Sequence, residues 1–245
     1  MAEIIELKNI SFSGQGRTII QDVSIEFEGS RTTALLGPSG CGKSTVLKLA
    51  AGLLVPDTGE ILFKGKNVAQ MNRTENLEFR REGAFIFQDS ALWANQNLFQ
   101  ILELPLRVHF PSMNKKERER RIIEAAAEVG YRKNLNTRPA ALSMGEQKLI
   151  AFARALMCNP SLLYLDEWTE SLDENAAKRL IELVRKRKDE GCTIIFVSHD
   201  MRIVMDLADI VVMVLEGKVF LKTTKKQIAE NDDLRQYVEQ GMMSL

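Results

Sequence analysis

Apolar and polar positions along the chain change texture twice. Near the N-terminus, short apolar segments at Ile4 to Phe12, Val23 to Phe27 and Thr32 to Leu36 are punctuated by Gly14, Gly16 and Gly29, which predicts strands in a hairpin-rich β layer. A helix is expected from Lys43 to about Leu53. Pro56, Asp57 and Gly59 then mark a turn before a strand from Glu60 to Lys64. Ala84 to Phe87 reads as a further buried strand. From about Ala91 to Cys158 the pattern turns helical, with Asn114 capping a helix through Val129 and Gly130 stopping it. Strands return at Leu162 to Leu165, Thr193 to Val197 and Ile210 to Leu215. The first two are continuous apolar runs, the mark of strands buried on both faces of a parallel sheet. Asp173 caps a charged amphipathic helix ending at Gly191, and Lys225 to Leu245 has room for one or two short helices.

Composition narrows the function classes. The 245 residues are 45% hydrophobic, and 33 basic side chains balance 33 acidic ones. Zero net charge gives no electrostatic footprint for nucleic acid, so no nucleic-acid partner is expected. The charged run from Lys115 to Arg121 reads as a solvated helix face. Three cysteines, at 41, 158 and 192, do not form a disulfide framework and point to a reducing compartment. The start, Met1 to Glu6, lacks the pattern of a signal peptide. The longest apolar stretches, such as Ile210 to Leu215, fall far short of the ~20 residues that cross a bilayer. No direct membrane insertion is expected, and any membrane role passes through a partner.

The chemistry begins directly after Thr32 to Leu36. Gly37, Pro38, Ser39, Gly40, Cys41, Gly42, Lys43, Ser44 and Thr45 match the glycine-rich phosphate loop that opens a helix. The glycines let the backbone N–H groups curl inward around anionic oxygen. Lys43 is suited to reach the β- and γ-phosphates of a bound nucleotide, and the Ser44 hydroxyl to ligate Mg²⁺. A second group lies at Leu162 to Glu167, an apolar strand ending in two acids at the edge where α/β sheets bind ligands. Alone, an acid pair there also fits a helix cap. Beside a phosphate loop, Asp166 reads as a Mg²⁺ ligand and Glu167 as the base that polarises water. His199 ends the next strand within reach of a γ-phosphate. Gln88 ends the strand Ala84 to Phe87 and offers an amide to Mg²⁺ or water.

Leu142 to Gln147 ends the helical stretch and opens another helix, Glu146 to Met157, with Ser143 placed as its cap. This second phosphate-ready helix start has no ligand of its own, which suggests service in trans. In the order phosphate loop, Gln88, Leu142 to Gln147, Leu162 to Glu167, Asp173 and His199, the chain closely resembles the ATP-binding cassette subunits of ABC transporters over about residues 3 to 225. The resemblance implies an α/β P-loop NTPase core with a mainly parallel sheet, an N-terminal antiparallel β layer and an inserted α-helical subdomain. One domain is expected, with residues 1–90 and 159–245 forming the core and residues 91–158 the helical subdomain. It implies ATP and Mg²⁺ as cofactors, a homodimer closing head to tail on two ATP, and docking on transmembrane permease subunits at the cytoplasmic face of the cell membrane. Each ATP would lie between one copy's phosphate loop and the other copy's Ser143 and Gly145. Phe12 stands where the family stacks an aromatic ring on adenine. Glu167 looks like the catalytic base, His199 the γ-phosphate switch, Asp173 the acid signalling across the dimer, and Gln88 the joint to the helical insert.

Several positions depart from the family's common pattern. Phe12 replaces Tyr. Met144 replaces a Gly and is expected to crowd the partner's γ-phosphate. Glu146 replaces Gln and adds negative charge, offset in part by Lys148. Trp168 replaces Pro, packing either at the dimer seam or in local core. Phe87 to Leu92, Asn97 to Phe99 and Leu104 to Leu106 look similar to cassettes of the Mce/Mla lipid-trafficking type, with amino-acid, metal and lipoprotein systems as alternatives. A soluble cassette ATPase acting on nucleic acid or ribosomes is the rival function. A small-molecule kinase is more distant, because it leaves Leu142 to Gln147 unexplained.

Overall fold

A computed structural model describes residues 3–243. The chain opens with a hairpin, β1 (Glu3–Gly14) and β2 (Arg17–Glu28), both longer than the apolar pattern suggests. Their polar tips still pair, with Gly14 opposite Arg17 across a turn in which Gln15 and Gly16 both take positive φ. Then come β3 (Thr32–Leu36), α1 (Lys43–Ala50), β4 (Thr58–Phe63), β5 (Lys66–Asn67), α2 (Arg73–Glu82) and β6 (Gly83–Ile86). Three helices follow: α3 (Leu98–His109), α4 (Lys115–Glu128) and α5 (Met144–Leu156). The rest is β7 (Leu162–Asp166), α6 (Glu174–Asp189), β8 (Thr193–Val197), α7 (Met201–Leu207), β9 (Ile210–Leu215), β10 (Lys218–Thr224), α8 (Lys225–Glu230) and α9 (Asp232–Met243).

The strands form two sheets. An antiparallel sheet has the order β2-β1-β4-β5, and a six-stranded sheet has the order β10-β9-β3-β8-β7-β6. The latter is parallel from β9 to β6, and only β10 runs antiparallel, against β9. Its central strands β3, β7 and β8 are buried at every position. Alternate side chains therefore feed two cores. Ala34, Leu36, Leu163, Leu165, Ile194 and Phe196 join the cluster built with α3, α4, α5 and α6. Leu35, Leu162, Tyr164, Ile195 and Val197 join the cluster shared with α1 and the antiparallel sheet. The helical stretch thus shares one core with a face of the parallel sheet, and α5 is its element packed on that sheet, against β6.

Helix ends follow local chemistry. Helix α1 stops at Ala50, before Leu53, because Gly52 turns left-handed and the Gly52 and Leu53 amides donate back to Leu49 and Lys48 carbonyls. Asn114 caps α4 by accepting from the Glu117 amide at 2.9 Å, and Gly130 ends it with positive φ. Asp173 caps α6 by accepting from the Ala176 amide at 2.8 Å. Trp168 is fully buried and packs on Phe152 with ring centroids 5.6 Å apart, so of its two expected settings it takes the local core.

Candidate active site

The phosphate loop runs from the end of β3 into α1. Gly42, the residue before the helix, has φ of 107°, and no side chain caps the helix start. The first amides of α1 are left for an outside acceptor. Gly37 has φ of 141°, and a Cβ there would lie 2.1 Å from the Val214 carbonyl oxygen, so no other residue fits where the loop passes β9. Lys43 is only 6% exposed, and its ammonium donates to the Gly37 and Pro38 carbonyls at 2.9 and 2.8 Å. The lysine is held across the mouth of its own loop, where a phosphate would compete for it.

The parallel sheet delivers the acids. Asp166, the last residue of β7, is buried and accepts from the Ser44 hydroxyl at 2.6 Å. Glu167 follows with φ of 44°, unusual for a side chain larger than glycine, and its amide donates to the Val197 carbonyl of β8. Its carboxylate lies 2.7 Å from His199 Nε2. Burial raises the Glu167 carboxyl to about 7, with Lys43 opposing and the Asp166 charge adding to the rise. Burial and the Lys43 charge hold the imidazole of His199 below its ordinary value. A carboxyl that gains and loses its proton near neutrality suits a general base.

Lys43, Ser44, Glu167 and His199 line one cleft of about 370 Å³ with Ser39, Gly40, Gly42, Thr45 and Gln88, and Asp166 touches that lining through the Ser44 hydroxyl. Ile19 of β2 closes one side, and Phe12 packs, partly exposed, against the apolar cluster of the antiparallel sheet. A larger groove of about 800 Å³ lies between α6 and α7, but its Arg185–Asp206 and Arg202–Asp200 pairs already neutralise one another.

Ser143 and Gly145 do not line the cleft. They lie at the start of α5, where Ser143 Oγ accepts from the Glu146 amide and the Glu146 carboxylate accepts from the Ser143 amide. Met144 between them is 65% exposed. The charge of Glu146 is met by Lys133 at 2.7 Å and not by Lys148. That expectation fails because Lys148 points the other way along α5. Its ammonium is buried and donates to the Glu167 carbonyl at 3.1 Å and to the Glu170 carbonyl.

Glu170 is the other feature that the sequence pattern does not disclose. Its carboxylate accepts from Gln88 Nε2 at 2.6 Å. A carboxylate only accepts, so this bond fixes the amide with its oxygen turned away from Glu170.

A glycine-rich phosphate cradle, a Ser–Asp oxygen pair and a Glu–His pair, its glutamate half-buried and its histidine open to solvent, define at one sheet edge a nucleoside triphosphate hydrolase of the phosphate-loop class. A family profile for ABC transporters matches residues 20–170. The intermembrane phospholipid transport system ATP-binding protein MlaF of Haemophilus influenzae is 32% identical over 233 residues, covering 95% of this chain and 88% of that protein. The nickel import ATP-binding protein NikE of Brucella suis is 38% identical over 207 residues, covering 83% and 77%. A dimeric ATP-binding cassette solved in a post-hydrolysis state with ADP and phosphate superposes with a TM-score of 0.82 at 26% identity, over 91% of this chain and 99% of that one. The chain belongs to the ABC transporter family, as one of its ATP-binding and ATP-hydrolysing subunits.

Proposed function

We propose that two copies of this chain close head to tail on two ATP molecules, and that this closure drives a permease at the cytoplasmic face of a membrane. The observation that carries the reading is the division of the site. One cleft gathers the phosphate loop, Glu167 and His199, with Asp166 bonded behind Ser44, while Ser143 and Gly145 sit elsewhere on an outward-facing helix start. A Cβ on Gly145 would meet only ordinary contacts, the nearest Leu172 at 3.7 Å, so nothing inside the chain crowds that position. A second copy supplies what would approach it. Asp173, exposed at the start of α6, would face the same partner.

Within the cleft, Lys43 and the amides of α1 hold the phosphates, and the partly exposed ring of Phe12 offers a face to adenine. Glu167 takes the proton of the attacking water, and His199 hydrogen-bonds the γ-phosphate. Ser44 Oγ, Asp166 and the free oxygen of Gln88 are hard oxygen donors, a set that fits Mg²⁺. When bound, the ion neutralises charge on the phosphate oxygens.

The permease would dock beside the loop that follows Gln88, where Trp93 is an exposed apolar side chain. Among the described residues no helix is long and apolar enough to cross a membrane. A phospholipid cargo is supported by the relative MlaF, whose match spans 95% of this chain. Copurification with the permease and mass spectrometry of bound lipid tests that cargo; a bound metal complex in place of lipid would redirect it.

Glu167→Gln tests the core of the reading. Turnover is expected to fall by roughly a hundredfold or more, with ATP binding retained and an ATP-dependent dimer accumulating in sedimentation. Parent-like turnover would remove Glu167 as base. A variant that stays monomeric with ATP would sink the head-to-tail closure.

A further inference from the structure

The backbone of the catalytic turn is bent against its own preference. Glu167 takes φ of 44°, a conformation that costs a non-glycine residue and persists only where its surroundings enforce it. The surroundings are specific. The Glu167 amide is held by Val197, and the Glu170 amide returns to the Glu167 carbonyl. From the other side come two contacts of one helix. Lys148 of α5 donates to both the Glu167 and Glu170 carbonyls, and Phe152, one turn further along the same face, packs on Trp168.

Lys148 is 3% exposed, and its direct partners are these two main-chain oxygens. A buried ammonium is costly unless its hydrogen bonds are made, so these two carry weight. Glu170 also fixes the Gln88 amide through its carboxylate. One buried cation thus holds the main chain at both ends of the segment that carries Glu167, and the last residue of that segment, Glu170, fixes Gln88.

We propose that Lys148 is a positioning residue for hydrolysis, clamping the turn from Glu167 to Glu170 onto α5 so that the Glu167 carboxylate and the Gln88 amide meet the nucleotide in register. The proposal rests on the reading of Glu167 as the base. Lys148 does not line the cleft, and its influence is on geometry alone.

The test compares three lysine variants in the full chain. Lys148→Met keeps the length and apolar stem and removes the donors; Lys148→Arg keeps donors and charge. Lys188→Met is the control, because Lys188 of α6 similarly holds the Leu207 carbonyl and Asp209 away from the cleft. ATP turnover, ATP affinity in a Glu167→Gln background and the urea unfolding midpoint are measured for each. Lys148→Met should lower kcat by about tenfold to a hundredfold, as small misplacements of catalytic groups do, with ATP affinity unchanged. Lys148→Arg should recover most of kcat. Lys188→Met should lose stability and keep kcat per folded molecule. The proposal is overturned if Lys148→Met keeps parent kcat, if kcat and ATP affinity fall together, or if it matches Lys188→Met. Should Lys148→Met fail to fold, the same split is read on Lys148→Gln, and parent kcat there overturns the proposal equally. Glu167→Gln alone keeps the two readings apart: if it still turns over, the assignment of the base fails first.

Discussion

Helices α1 and α5 both begin where phosphate chemistry is expected, yet α1 begins open and α5 begins closed. No side chain caps α1, its first turn carries Lys43 and no acid, and its leading amides face the cleft. Helix α5 has a complete reciprocal cap between Ser143 and Glu146, and its acid is further engaged by Lys133. The open end is an anion site before any ligand arrives. At the closed end, an incoming phosphate competes with a carboxylate that already holds the Ser143 amide. In a shared ATP site, the phosphate loop would therefore capture the nucleotide, and the α5 start would join afterwards with less to contribute.

The largest expected effect is at the open end. Gly42→Ala forces a Cβ to within 2.7 Å of Ile20 Cδ1 at φ of 107°. Strain of about 1–3 kcal/mol should weaken ATP affinity by roughly tenfold or more, read by calorimetric titration. Parent-like affinity would break the comparison by showing that the loop is not the capturing half. At the closed end, Ser143→Ala should cost about 1 kcal/mol of stability in urea, with ATP affinity of the monomer unchanged. An affinity loss matching that of Gly42→Ala would erase the distinction between the two ends.

The smallest effect concerns charge. The Lys133 ion pair and the Ser143 amide hold the Glu146 carboxyl below its ordinary value. The folded state therefore favours the ionised form. Its contribution is present above the unfolded value of about 4.5 and is lost as pH falls through the lower folded value. Glu146→Gln should flatten that part of the acid unfolding curve and tighten ATP-driven dimerisation by a few-fold, about 1 kcal/mol or less. An unchanged acid limb, or a weaker dimer, would show that the carboxylate is not what holds the α5 start closed.

How legible these features are in the sequence depends on range. Strands β3, β8 and β9 read to the residue because continuous apolar runs flanked by polar residues have one solution between two cores. Helix α2 is missed because its ten residues carry only Leu77 and Phe79 as apolar anchors. Its usable signal is the reciprocal cap between Asn72 and Glu75. Strand β10 alternates too weakly, although the positive-φ pair Glu216 and Gly217 is the turn chemistry of a hairpin. The phosphate loop and acid pair are legible because each is local and contiguous. The contacts of Glu170 and Lys148 are not, because both depend on the left-handed turn at Glu167, which brings main-chain oxygens from β7's end under a lysine 19 and 22 residues upstream. Read as a surface neighbour of Glu146, Lys148 is assigned to the wrong side of α5.

Trp168 and Trp93 give the molecule two optical probes in opposite settings. Trp168 directly follows Glu167 and is sealed against Phe152, while Trp93 sits 44% exposed beneath the Arg154 guanidinium in the segment after Gln88. Their emission should differ in colour, with the sealed indole bluer than the wet one. In a Trp93→Phe chain, intrinsic fluorescence becomes a single-site readout of the turn behind the Glu167 carboxylate. In a Trp168→Phe chain, it reports on the surface where a permease would arrive.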